Sequence, residues 1–245
     1  MIQVAGFSKL YGEFVAVDDL SFEVQPGAVM GLVGPNGAGK TTTLRCLSGI
    51  IPPTRGQLLV GGYDLATDPI EAKRRLAFFS DTPKLFDYLT VRQHLSFVAR
   101  IYQVRDAQAI GQELLEELEI ADKGDKLPGE LSHGMRQKLA IACGLLHSPS
   151  VIYFDEPLTG LDPFGIRRMK DSILKRARNG TAIIVSSHLL PLVEEICSHL
   201  LILKNGKKVI DGSLEEIRKR LQLDGGNLEE LFFRLTGEET AGAAG

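Results

Sequence analysis

No run of 18 or more apolar residues occurs in the sequence, so no segment is built to cross a bilayer as a helix. The opening Met1-Ile2-Gln3-Val4-Ala5-Gly6 lacks a basic stretch followed by an apolar one, the pattern that directs a chain across a membrane. The protein is therefore expected to be soluble in itself. Cysteine is scarce: Cys46, Cys143 and Cys197 lie far apart in apolar, helix-like surroundings and form no C-x-x-C pair. They read as buried small hydrophobes of a reduced, cytosolic protein, without a metal or redox role. A basic excess is missing too. With 28 Lys and Arg against 31 Asp and Glu the formal charge is −3, which argues against a general nucleic-acid binder. No internal repeat appears, so the chain is one unit and not a tandem pair. What remains, 44% hydrophobic and 24% charged residues over 245 positions, is ordinary for a soluble α/β domain.

Strand and helix patterns alternate along most of the chain. Residues 2 to 33 alternate in strand fashion, ending in a buried run from Val29 to Val33, and a helix-like segment follows from Thr42 to Ser48. Strands are expected at Gln57 to Val60, Leu76 to Phe79, Val151 to Asp155, Ala182 to Ser186 and Leu200 to Lys204, the last turning back at Asn205-Gly206 into Lys207 to Ile210. Between about 81 and 147 the alternation gives way to helices. Thr90-Val91-Arg92-Gln93 is a capping box opening a helix to about Tyr102, and a second amphipathic helix is expected from Asp106 to Ile120. Later helices are expected from Pro163 to near Gly180, from His188 to Cys197, after Ser213, and from Leu228 to Leu235. The reading is a single domain over 1–236. It comprises a core with a β lobe (1–80 and 148–212), a helical lobe (about 81–147), C-terminal helices (213–235) and a flexible Gly/Ala tail (237–245).

Chemistry concentrates in Gly34-Pro35-Asn36-Gly37-Ala38-Gly39-Lys40-Thr41-Thr42, between the buried run and the helix. It fits the pattern G-x-x-x-x-G-K-[ST]. Gly34, Gly37 and Gly39 let the backbone curl so that successive N–H groups face phosphate oxygens. Lys40 reaches the β- and γ-phosphates, the Thr41 hydroxyl suits Mg²⁺, and the following helix points its positive end at the same anion. A second element, Val151-Ile152-Tyr153-Phe154-Asp155-Glu156, is an apolar strand ending in two carboxylates. Asp155 would hold Mg²⁺, usually through water, and Glu156 would polarise the water that attacks a γ-phosphate. Between them stands Leu131-Ser132-His133-Gly134-Met135-Arg136-Gln137, just before an apolar helical run, with Ser132 as N-cap of a second anion-suited helix terminus.

The order of these elements over residues 3 to 235 resembles the nucleotide-binding domains of ABC transporters, and Leu131 to Gln137 is similar to their signature sequence. The resemblance implies a P-loop NTPase with a mainly parallel RecA-like core, an antiparallel β subdomain and a helical signature subdomain. It also implies Mg²⁺-dependent ATP hydrolysis by a head-to-tail dimer, homo- or heteromeric, with two ATP molecules sandwiched between the subunits. Ser132, His133, Gly134 and Met135 would then face the ATP of the opposite subunit; His133 departs from the usual Gly, with no partner at metal-ligand spacing.

By the same resemblance Tyr11 matches the aromatic that stacks on adenine, and His188 the histidine that contacts the γ-phosphate. Asp162 matches a loop along the dimer seam and also serves as an ordinary helix N-cap. Asp81 stands where most relatives carry a Gln; a carboxylate can help bind Mg²⁺ or its water but cannot donate a hydrogen bond while ionised. Lys84 to Val91 resembles the surface that receives a short helix from a membrane subunit, with Phe86 and Tyr88 suited either to that groove or to core packing. Asp81, the signature and Leu228 to Phe233 look similar to cassettes of the ABC-2 exporter type. The implied partners are membrane-spanning transporter subunits and a second ATPase subunit, with no nucleic acid. The implied location is cytoplasmic, peripheral on the inner face of the cell membrane. A soluble ABC-type ATPase acting on a non-membrane machine is the alternative.

Overall fold

The computed structural model describes residues 1–80, 82–157 and 163–220 together with Leu228, Phe232 and Phe233. In chain order the elements are β1 (Ile2–Tyr11), β2 (Phe14–Val24), β3 (Val29–Val33), α1 (Lys40–Leu47), β4 (Arg55–Val60), β5 (Tyr63–Asp64), α2 (Pro69–Arg74) and β6 (Leu76–Phe79). Then come α3 (Val91–Tyr102), α4 (Ala107–Glu117), α5 (His133–Leu145), β7 (Val151–Asp155), α6 (Pro163–Arg178), β8 (Ala182–Ser186), α7 (Leu190–Ile196), β9 (His199–Lys204), β10 (Lys207–Ser213) and α8 (Leu214–Arg220).

Two sheets result. One has four antiparallel strands in the order β2-β1-β4-β5, and the other six strands in the order β10-β9-β3-β8-β7-β6. Within the second, β9, β3, β8, β7 and β6 run parallel, and β10 closes one edge antiparallel to β9. Every residue of β3, β7 and β8 is buried. Burial on both faces is what a parallel sheet covered by helices demands, and it explains why these strands read as unbroken apolar runs. Alternate residues face opposite cores. Met30, Leu32, Tyr153 and Ile184 join a cluster with α1 and the four-stranded sheet. Val29, Val33, Ile152, Phe154 and Val185 join a second cluster with residues of α3 to α7, which Leu228 and Phe232 also enter.

Several boundaries differ from the sequence reading, among them the starts of β4 at Arg55 and β9 at His199 and the end of β10 at Ser213. Helix α1 starts at Lys40, two residues early, because Gly39 takes the left-handed N-cap position at φ 101. Helix α4 stops at Glu117 instead of Ile120: Glu119 turns left-handed at φ 57 and ends the ladder. Helix α7 starts at Leu190, with Pro191 in its first turn, which leaves His188 in the loop after β8. Strand β5 and helix α2 had no counterpart in the sequence reading. Most of the helix expected over 228–235 and all of the tail 237–245 lie outside the described residues. Among the described residues no helix is long and apolar enough to cross a membrane.

Candidate functional site

The parallel strands β3, β7 and β8 end at the same edge of the sheet, and each hands over to a chemically loaded loop. Ligands of open α/β sheets bind at such carboxyl ends. After β3 the glycine-rich loop leads into α1, and a Cβ at Gly39 would lie 2.7 Å from the Ala16 carbonyl oxygen. Only glycine fits there, on both φ and space. Lys40 is buried, and its Nζ donates to the carbonyl oxygens of Gly34 (2.5 Å) and Pro35 (3.1 Å). The ammonium is thus held folded over the loop where a phosphate would sit.

After β7 come Asp155 and Glu156. Parallel register sets Asp155 opposite Ser186 at the end of β8. The buried Asp155 Oδ1 accepts from Ser186 Oγ at 2.5 Å and from Thr41 Oγ1 at 3.3 Å. Glu156 adopts φ 54, a left-handed conformation that costs a non-glycine residue about 1–3 kcal/mol. Its backbone N–H donates to the Ser186 carbonyl oxygen at 3.1 Å. Its Oε2 accepts from His188 Nδ1 at 2.8 Å and from the His188 backbone N–H at 3.4 Å. The imidazole is otherwise 64% exposed. A cleft of about 300 Å³ is lined by Asn36, Gly37, Ala38, Gly39, Lys40, Thr41, Thr42, Asp155 and Glu156, with Phe14 and Ala16 from β2.

This donor set fits a magnesium ion bound with a nucleotide. Thr41 and Asp155 offer one hydroxyl and one carboxylate already within hydrogen-bond reach of each other, and Mg²⁺ characteristically takes one or two protein oxygens plus phosphate oxygens and water. Among the described residues no three His, Cys, Asp or Glu side chains gather into a metal cage, which such a shared ion does not require.

Other expected site residues are placed differently. Tyr11 ends β1 half exposed, with Lys9 Nζ 5.0 Å above its ring, and pairs across the hairpin with Phe14. Phe14 rather than Tyr11 lines the cleft. Ser132 caps α5, its hydroxyl accepting from the Met135 N–H at 3.3 Å. Neither it nor His133, Gly134 or Met135 lines the cleft of its own chain. Asp81 and Asp162 lie outside the described residues. Phe86 and Tyr88, open between groove and core, are 54% and 91% exposed. The Phe86 ring meets the edge of Phe97 at 5.1 Å beside an apolar groove of about 520 Å³. Ser186, Phe14 and Ala16 escaped the sequence reading as site residues. The first needed strand register to be seen, and only an aromatic beside the Tyr11-Gly12 turn hinted at the others.

Comparison with known proteins agrees with this geometry. The family model described as "ABC transporter" matches residues 17–159. The bacitracin transport ATP-binding protein BcrA of Bacillus licheniformis is 37% identical over 243 residues, 98% of this chain and 77% of that protein. The Nod factor export ATP-binding protein I of Cupriavidus metallidurans is 34% identical over 219 residues, 89% of this chain and 72% of its own length. A solved "ATP binding subunit of ABC transporter" superposes with a TM-score of 0.92 at 33% identity, covering 96% of this chain and 99% of its own. The phosphate loop, the paired carboxylates and these likenesses over nearly the whole length lead to one statement: the chain belongs to the ABC transporter family, as one of its ATP-binding proteins.

Proposed function

We propose that the chain is the ATP-hydrolysing subunit of an exporter, working as a dimer beneath separate membrane-spanning subunits on the cytoplasmic face of the cell membrane. The observation that carries this reading is the convergence of Lys40, Thr41, Asp155, Glu156 and His188 at the carboxyl edge of one parallel sheet. Lys40 and the loop N–H groups, Gly34 to Thr42, bind the phosphates of ATP, and Phe14 with Tyr11 offers the adenine an aromatic surface. Held by Thr41 and Asp155, a magnesium ion would supply charge neutralisation on the phosphate oxygens. Glu156 accepts a proton from the attacking water as its oxygen bonds the γ-phosphorus and the bond to ADP breaks. His188 holds the Glu156 carboxylate in place.

Dimerisation is supported by the position of Ser132 to Met135, a helix N-terminus set away from its own cleft and suited to the γ-phosphate of a partner's ATP. Asp162 is assigned to the seam between subunits, and Asp81 to Mg²⁺ or its water. The apolar groove, lined by Ile50, Ile51, Phe79, Leu85, Phe86 and Phe97, suits a short helix of a membrane subunit. The name of one relative, the Nod factor export ATP-binding protein I, supports export as the direction.

The deciding experiment is Glu156→Gln. It is expected to bind ATP as the wild type does, to lower kcat by about 10³-fold or more, and to accumulate an ATP-bound dimer on size exclusion. Turnover at the wild-type rate would remove Glu156 as the base and with it this mechanism.

A further inference from the structure

Gln137 is almost wholly buried, with 3% of its surface exposed. It stands one turn into α5, the helix capped by Ser132. Its Nε2 donates to the carbonyl oxygen of Pro157 at 2.8 Å, the residue directly after Glu156. Its Oε1 is fully buried and has no hydrogen-bond partner among the described residues. A buried amide satisfied on one side only is a poor stabiliser, and an apolar side chain of the same length would serve packing as well or better. The glutamine is therefore accounted for by what its single bond holds.

The same helix reaches the other side of the catalytic pair. A Cβ at Gly144 of α5 would lie 2.4 Å from Phe79 Cε1, so the ring of Phe79 is seated directly on the backbone of α5. Phe79 in turn stacks on Phe154, the residue before Asp155, with centroids 4.9 Å apart and planes at 24°. The residues on either side of Asp155-Glu156 are thus tied to α5, Phe154 through the ring of Phe79 and Pro157 through Gln137. Phe79 and Gln137 also line the apolar groove.

We propose that Gln137 is a positioning residue for ATP hydrolysis, tying the left-handed turn that carries Glu156 to α5, so that the base takes up its working position only with the helix that begins at Ser132. A shift of α5, whether from a nucleotide at its N-terminus or from an occupant of the groove, then moves the base as well. The inference rests on Glu156 acting as the base, a point that Glu156→Gln decides separately.

Two variants of the purified chain test it. Gln137→Met keeps length and volume but removes the donor. Its kcat is expected to fall by about tenfold or more, because a misplacement of one ångström at a reacting group is that costly. Its affinity for a fluorescent ATP analogue should stay within about twofold, and its melting temperature should be unchanged or higher. Gln137→Glu donates to Pro157 only while its carboxyl is protonated. Burial raises such a pKa, so its kcat relative to wild type should recover as the pH is lowered from about 8 to about 6. Hydrogen exchange in the peptide spanning residues 155–157 should be faster in Gln137→Met and near normal in Gln137→Glu at the lower pH. Unchanged turnover in Gln137→Met would overturn the proposal. So would a loss of turnover that tracks a fall in melting temperature with no recovery of Gln137→Glu in acid, since Gln137 would then be a packing residue.

Discussion

Ser186 shows how much a single hydroxyl can carry. It is fully buried, donates to Asp155 at 2.5 Å, and its carbonyl oxygen accepts from the Glu156 N–H. Replacing it by alanine leaves a buried carboxylate with Thr41 at 3.3 Å as its other described donor. Ser186→Ala is therefore expected to cost about 1–3 kcal/mol in urea unfolding. It should also raise the Mg²⁺ concentration needed for half-maximal turnover, because a loosened carboxylate is a less preorganised ligand. The sequence could not single out this serine. Serines at strand ends are common, and only the parallel register, Asp155 opposite Ser186, makes it a partner. Lys40, Thr41 and the carboxylates were legible because each sits at a fixed offset from glycines or from the end of an apolar run, a spacing that survives without any knowledge of pairing.

Among elements, α4 and α6 are joined by a compact ionic cluster. Glu117 accepts from Ser172 Oγ at 2.9 Å, Arg176 Nη1 at 2.9 Å and Lys175 Nζ at 3.3 Å. Glu119 adds a pair with Arg168 at 2.7 Å. Partial burial alone would raise the Glu117 carboxyl, but the hydrogen bonds and charge of Arg176, with Ser172 and Lys175, outweigh it and hold the group below the ordinary glutamate value. A depressed folded-state value contributes stability that is fully present above the unfolded value, about 4.3, and is lost as pH falls through the folded one. The melting temperature of Glu117→Gln should therefore lie below wild type at neutral pH, with the gap closing in acid below about pH 4. A gap that persists undiminished there would assign the effect to shape and not to charge.

Legibility at this scale followed burial. Strands β3, β6, β7 and β8 were bounded correctly because uninterrupted apolar runs end at turn residues. Helix α2, six residues long with Ile70 exposed, and the two-residue β5 show no period long enough to read. Helix α7 was read two residues early because Pro191, acceptable in a first turn, does not mark where that turn begins.

For the whole molecule the decisive question is whether one chain suffices. If Ser132 of one subunit completes the pocket built on Lys40 of the other, Lys40→Ala and Ser132→Arg should each be nearly inactive alone. Mixed, they should regain turnover, because the heterodimer contains one site with both residues intact. Specific activity should also fall on dilution as dimers dissociate. Full activity of Ser132→Arg alone, or no recovery on mixing, would contradict a shared pocket.

The strand order has a consequence for how the chain comes into being. β3, whose end becomes the phosphate loop, is flanked in the sheet by β8 and β9, which begin only at Ala182 and His199. The loop is made well before the strands on either side of its own, so its strand has no sheet neighbours until β8 and β9 have emerged. Loop-closure entropy has to be overcome before those long-range pairings form. A nascent chain should therefore gain nucleotide affinity abruptly and late, once β9 clears the exit tunnel.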